Sequence, residues 1–142
     1  MTARSVSTDI DPILLAWAAG IVDGEGHISI RHLRPRVYQL EVGVTNTDPR
    51  LMKRFLSLFG GYTKRHGKNA LSKKPCWTWC VCSKQAEAFL LLIRPYLFIK
   101  AEQADIGLAS RALITRNKKD RTVELEQFAW LKRQLADVRK EH

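Results

Sequence analysis

Acids are the scarce commodity in this chain. Its 142 residues hold 14 Asp/Glu against 24 Lys/Arg, a formal charge of +10 with histidine neutral. The shortage is uneven, because between Arg31 and Lys74 eleven Lys/Arg are opposed only by Glu41 and Asp48. A merely soluble basic surface would spread its charge, whereas a block of this kind points to a polyanionic partner, most simply nucleic acid. Cysteine is also sparse. Cys76, Cys80 and Cys82 are odd in number and form no C-x-x-C pair, which argues against a disulfide framework. They fall in a strand-like run and are expected as buried, reduced thiols rather than zinc ligands, which places the chain in a reducing, intracellular compartment and not among secreted proteins. His27, His32 and His66 show no ligand spacing. Long apolar runs are missing too. Ile13 to Val22 carries no polar side chain, but ten residues are half of what a bilayer-spanning helix needs, about 20. Membrane association is therefore not expected. No signal-peptide pattern, repeat or low-complexity tract is present. Residues 1–142 read as a single domain large enough for a real core, with Met1 to Thr8 as a flexible arm.

What the sequence does have is concentrated in Asp11 to Gly26. Asp11 suits a helix N-cap and Pro12 the first helical position, where a missing N–H costs nothing. The ten apolar residues that follow lack a polar face, so the helix expects burial on every side. Ala16, Gly20 and Gly24 recur every four residues and share one face, leaving a groove where another backbone can come close. The helix closes on two acids, Asp23 and Glu25. Carboxylates there meet the negative end of the helix dipole, which is unfavourable unless a lysine, an arginine or a divalent metal binds.

The stretch Ala18 to Gly26, AAGIVDGEG, resembles the signature of the LAGLIDADG homing endonucleases. Ala19, Gly20, Ile21, Val22, Asp23, Glu25 and Gly26 match it or are conservative. Ala18 stands for the usual leucine, and Gly24 for an alanine that is often glycine. The resemblance implies that two such helices pack against each other through Ala16, Gly20, Asp23 and Gly24. It also implies that the last acid, Glu25, enters a shared metal site with Gly24 beside it. Glutamate is an allowed variant of the more usual aspartate.

Beyond the motif the period changes from helical to two. His27 to Leu33 predicts a first strand, turning at Arg34-Pro35-Arg36. Val37 to Thr45 predicts a second, with Tyr38, Leu40, Val42 and Val44 on a core face and Gln39, Glu41, Gly43 and Thr45 on the other. Ser29 and Arg31 share that second face, which beside the basic block reads as a surface for base edges and phosphates. Thr47-Asp48-Pro49 predicts another capped helix, stopped by Gly60-Gly61. Tyr62 to His66 and Cys76 to Cys82 predict a second hairpin joined by a basic loop with Lys68, Lys73 and Lys74. Lys64 and His66 are expected to face DNA, and Trp77, Trp79 and Val81 the core. Ser83 is expected to cap a third helix, broken at Pro95. Ile99 to Leu113 reads as a fourth helix and Thr122 to Arg139 as a fifth, with Phe128, Leu131, Leu135 and Val138 on one side. This is an α+β order, αββαββα with C-terminal helices, in which residues 115–142 form an extension. It matches the family's single-motif fold with its four-stranded antiparallel saddle.

The resemblance, which covers about Leu14 to Ala109, implies further roles. Asn46 would border the active site and position water, Arg50 would follow it on the next helix, and Lys100 would be the active-site lysine. Ser29, Arg31, Arg34, Arg36, Gln39, Glu41, Lys64, His66, Lys68 and Lys73 are the expected DNA contacts. The implied activity is sequence-specific cleavage of double-stranded DNA by an intron-encoded homodimer, on a long pseudo-palindromic site, leaving 3′ overhangs. Mg²⁺ would be the cofactor; Mn²⁺ would substitute and Ca²⁺ would bind without efficient cleavage. No small-molecule cofactor is expected. The protein would act where its host DNA lies, in a bacterial or phage-infected cytoplasm or an organelle. An RNA maturase or a non-catalytic DNA-binding regulator on the same scaffold is the alternative.

Overall fold

The computed structural model describes residues 9–34, 37–66, 75–114 and 122–141. The expected N-terminal arm and the basic positions Arg36, Lys68, Lys73 and Lys74 lie outside them, as does the side chain of Phe128. The elements run α1 (Pro12–Glu25), β1 (Gly26–Arg34), β2 (Val37–Asn46), α2 (Pro49–Phe59), β3 (Tyr62–His66), β4 (Cys76–Cys82), α3 (Ser83–Ile93), a 3₁₀ turn (Arg94–Tyr96), α4 (Ala101–Ile114) and α5 (Thr122–Glu141). The expected order is therefore present.

Two helices begin by the same device. The Asp11 carboxylate accepts the Ile13 N–H at 2.9 Å, and Asp48 accepts that of Arg50 at 2.9 Å, each with proline at the first helical position. The third helix departs from expectation. Its N-cap is Cys82, it has no side-chain cap, and Ser83 sits inside the first turn with φ at 54°, a left-handed value that a non-glycine residue rarely adopts.

The strands form one antiparallel sheet in the order β1-β2-β4-β3. Its period of two gives it two unlike faces. On one, Ile28, Val42 and Val81 line up across three strands, with Ile30, Leu40, Val44 and Trp79 beside them, all buried under the helices. Phe55 and Phe59 from α2 and Phe89 from α3 close around Trp79, with ring centroids 4.8, 6.1 and 5.0 Å from the indole. Trp79 donates its indole N–H to the Gly60 carbonyl at 2.7 Å, so the end of α2 is tied to the sheet. Gly61 has φ of +83°, and a Cβ there would lie 2.4 Å from the Cys80 carbonyl oxygen. The α2–β3 turn thus needs glycine for both conformation and space.

The fourth and fifth helices make a second, smaller core. Leu131 and Leu135 of α5 pack on Ile30, with Tyr38, Ile106 and Leu113 partly buried around them. The Arg139 guanidinium then reaches the outer edge of β1, donating to the Ile28 carbonyl oxygen and, at 3.3 Å, to the Ser29 hydroxyl. Burial lowers the pKa of this guanidinium.

Helix α1 is not enclosed on every side. Leu15, Ala18, Ala19 and Val22 are buried in the main core, but Ile13 is 76% exposed, and Ala16, Gly20 and Gly24 are exposed as well. A Cβ built on Gly20 or Gly24 would meet nothing within 4 Å. The small-residue face is open.

Candidate active site and nucleic-acid interface

The C-terminal end of α1 gathers the chemistry. The helix ends at Glu25, and the Gly26 N–H closes it on the Val22 carbonyl. Asp23 turns its carboxylate back into the chain, where one oxygen accepts the Phe98 N–H at 2.9 Å and the other the Lys100 N–H at 3.0 Å. Lys100 completes the link by donating its Nζ to the Asp23 carbonyl oxygen at 2.8 Å. An ammonium thus sits on one of the last carbonyls at the negative end of the helix dipole, so a lysine supplies a positive group there. Both carboxylate oxygens of Asp23 are thus used within the chain.

Glu25 takes the other direction and is exposed. Its Oε2 accepts the Asn46 Nδ2–H at 2.5 Å, while the Asn46 Oδ1 accepts the Asp48 N–H at 2.9 Å. The second bond fixes which end of the Asn46 amide faces Glu25. Arg50 is not brought to this pair. Its guanidinium lies on Asp48, with Nη2 to Oδ2 at 2.7 Å and Nε to Oδ1 at 3.1 Å, and 88% of the side chain is exposed. The Arg50 side-chain hydrogen bonds, with its backbone N–H, hold Asp48 at about 2. The arrangement thus joins Glu25 with Asn46 and Asp23 with Lys100, and leaves Arg50 at its rim.

No family model and no curated protein sequence matches the chain. Solved structures do. The homing endonuclease I-CvuI in complex with its target in the presence of calcium is similar over 89% of this chain and 82% of its own, with a TM-score of 0.74 and 21% identity. The archaeal intron-encoded homing endonuclease I-Vdi141I complexed with DNA is similar over 89% and 84%, with a TM-score of 0.73 and 12% identity. The I-SmaMI LAGLIDADG homing endonuclease bound to cleaved DNA matches 96% of this chain, but this chain spans only 48% of it, at a TM-score of 0.67 and 16% identity. The fold is that of the LAGLIDADG homing endonucleases.

In this LAGLIDADG fold the sheet face away from the helices carries the polar side chains. Register places His27, Ser29 and Arg31 of β1 beside Gly43, Glu41 and Gln39 of β2, and Tyr62, Lys64 and His66 of β3 beside Cys80, Thr78 and Cys76 of β4. A ladder of hydrogen bonds crosses three strands, from His66 Nε2 to Thr78 Oγ1 at 2.7 Å and from Thr78 Oγ1 to Thr45 Oγ1 at 2.8 Å. Arg31, Arg34, Lys64 and His66 are exposed and Gln39 half-buried.

Glu41 departs from its expected role as a DNA contact. It is 7% exposed, and both carboxylate oxygens are engaged, Oε1 with His27 Nε2 at 3.0 Å and Oε2 with Arg31 Nη1 at 2.9 Å. The His27 hydrogen bond, opposed by burial and joined by Arg31, brings its pKa down to about 2. The half-buried Ser29 accepts a hydrogen bond from Arg139 of α5 at 3.3 Å. The Cys80 sulfur lies within 4.8 Å of the His27 and Glu41 donor atoms. Burial pushes that thiol up to about 11, and Arg31 and His27 engage both carboxylate oxygens, so the three side chains form one polar network.

Periodicity could not have found His27 on Glu41 or Arg139 on β1, since 14 and 111 residues separate the partners. The one local sign was Gly43, a glycine inside a regular strand. A Cβ there would lie 2.4 Å from the His27 ring, so the gap lets His27 lean across to Glu41.

Proposed function

We propose that the protein is a sequence-specific, Mg²⁺-dependent double-strand DNA endonuclease that acts as a homodimer on a long pseudo-palindromic site and leaves 3′ overhangs. The observation that carries the reading is the exposed Glu25–Asn46 pair at the end of a helix whose Ala16, Gly20 and Gly24 face stands open. The solved structures of this fold support it, since I-CvuI and I-Vdi141I are homing endonucleases complexed with DNA. One chain supplies one Glu25, and cutting two strands needs two. A two-fold axis running along the open face of α1 would bring both copies together.

The residues present suit a hard cation. An exposed carboxylate and a carbonyl among the last of a helix, Glu25 and Gly24, are oxygen donors, which Mg²⁺ prefers and often supplements with substrate phosphate. Mn²⁺ fits the same donors, and Ca²⁺, larger and less exacting, would bind with little cutting. When bound, such an ion supplies charge neutralisation at the phosphate and activation of water. The chain's own groups do the rest. Asn46, held by Asp48, orients the Glu25 carboxylate and offers an amide to water. Lys100, fixed by Asp23, sets a positive charge beside the site where the phosphate oxygens gather negative charge. Arg50 is available at the rim for a flanking phosphate.

The deciding experiment compares binding and cleavage by Glu25→Gln on one duplex selected from a randomised library in Mg²⁺. The expected outcome is specific binding with cleavage reduced by orders of magnitude. A variant that cuts at near wild-type rate removes Glu25 from the reaction. A wild type that binds duplex DNA yet never cuts would transfer the fold to a regulatory role.

A further inference from the structure

The polar sheet face carries exposed Arg31, Lys64 and His66, but at its centre lies a buried acid. A carboxylate on a surface meant for a polyanion is unfavourable unless it has a task. The geometry around Glu41 shows what it does to its neighbours. Its side chain is 10% exposed, while that of Arg31, whose guanidinium it holds, is 49% exposed. His27 occupies the second oxygen, and Gly43, by having no side chain, gives the His27 ring its place. Three residues therefore constrain a fourth, whose side chain stays about half exposed.

We propose that Glu41 is a specificity-determining positioning residue, which holds the Arg31 guanidinium so that its free edge reads a guanine in the major groove. The inference rests on the DNA-binding reading given above and goes beyond it by naming a base and the residue that enforces it. Arg31 has five N–H groups in a rigid plane, and one hydrogen bond to Glu41 leaves four. The O6 and N7 acceptors of guanine match two parallel N–H groups, the commonest specific contact made by arginine. A phosphate is the less suitable partner for this arginine. It needs no particular plane, and it would be drawn toward a surface where Glu41 keeps a negative charge 2.9 Å from the guanidinium. A guanine edge carries no net charge and is repelled by it far less than a phosphate would be. Holding Arg31 in place beforehand also removes the ordering cost that a long, free side chain would meet on binding.

The test is a binding selection on a randomised duplex library in Ca²⁺, so that cleavage does not enter, with wild type, Glu41→Gln, Glu41→Asp and Arg31→Lys. Wild type is expected to select a guanine at one position in each half-site. Glu41→Gln should lower that preference about tenfold, the scale of one good bidentate contact, while affinity for duplexes lacking the guanine stays level or rises. Arg31→Lys, which keeps the charge but loses the plane, should lose the same preference at the same position. Glu41→Asp keeps the charge and draws it back by one methylene; it should fall between wild type and Glu41→Gln, and it carries the test if Glu41→Gln does not fold. A wild type that selects a sequence which neither Glu41 variant alters overturns this inference and leaves the DNA-binding reading standing. So does a uniform loss across all sequences with a flatter salt dependence, which would make Arg31 a phosphate contact. A wild type that binds duplexes without any preference overturns both.

Discussion

Two acids two residues apart do different work in this protein, and the difference lies in what each touches. Asp23 accepts two backbone N–H groups from the turn before α4, whereas Glu25 is exposed and meets one amide. Asp23→Asn would set an NH₂ group against a backbone donor and weaken a charged hydrogen bond, so it should cost about 1–3 kcal/mol of folding stability. Glu25→Gln should leave the urea midpoint unchanged. Equal midpoints for the two variants would refute this division. Glu41 makes a prediction of its own, in pH. Its native pKa, held at about 2 chiefly by the His27 hydrogen bond, lies below the ordinary 4.5. A depressed carboxylate contributes stability that is complete above its unfolded pKa and lost as pH falls toward its folded one. The stability gap between wild type and Glu41→Gln should therefore be about 2–3 kcal/mol near neutrality and close as pH drops from about 4.5 to about 2. Denaturant midpoints at stepped pH would show it, and a gap independent of pH would mean that charge on Glu41 is not its source.

The elements were legible where a local rule decided them. Asp-Pro caps, Gly60-Gly61 and the alternation of β2 each act within a few residues, and those boundaries agree with the structure to within about two residues. Ser83 was misread because a serine before a helix resembles a cap, yet the turn begins one residue earlier. The surroundings of α1 could not be read from composition either. The run of apolar residues predicted burial on every side, whereas the Ala16, Gly20 and Gly24 face that the spacing singled out is open within one chain. That open face gives a sharp expectation for Gly20→Leu. Within one chain the new side chain meets nothing, so monomer stability should not fall. In a dimer it overfills the seam, which commonly costs about 1–3 kcal/mol. Sedimentation of both proteins at matched micromolar concentrations checks it, and a wild type that stays monomeric with and without DNA would count against the dimer.

At the scale of the molecule, the charge block foretold which side of the sheet carries polar, cationic groups, because strand alternation must send every second residue away from the core. It did not foretell which of those groups are free. Glu41 and Ser29 sit at the right register but are taken by His27, Arg31 and Arg139, and such partners come from tertiary packing alone. Lys64 is exposed and stands for the ordinary members of the face. Lys64→Ala should weaken binding to all duplexes alike and flatten the slope of log affinity against log salt by about 1. A change in base preference instead would make Lys64 a reader of sequence.

The two borders of the sheet are defended in different ways. Beyond β1 lies the Arg139 side chain of α5, which occupies a peptide carbonyl that another strand would otherwise pair with. Beyond β3 lies nothing among the described residues, and all five of its residues are exposed. What keeps a foreign strand from adding there is the cationic Lys64-Arg65 pair, since charge on a border strand discourages stacking of copies. On the proposed reading the same lysine would serve solubility and DNA affinity at once. Neutralising it to probe DNA contact also removes a safeguard against self-association, so loss of binding in Lys64→Ala is interpretable only beside light scattering of the free protein.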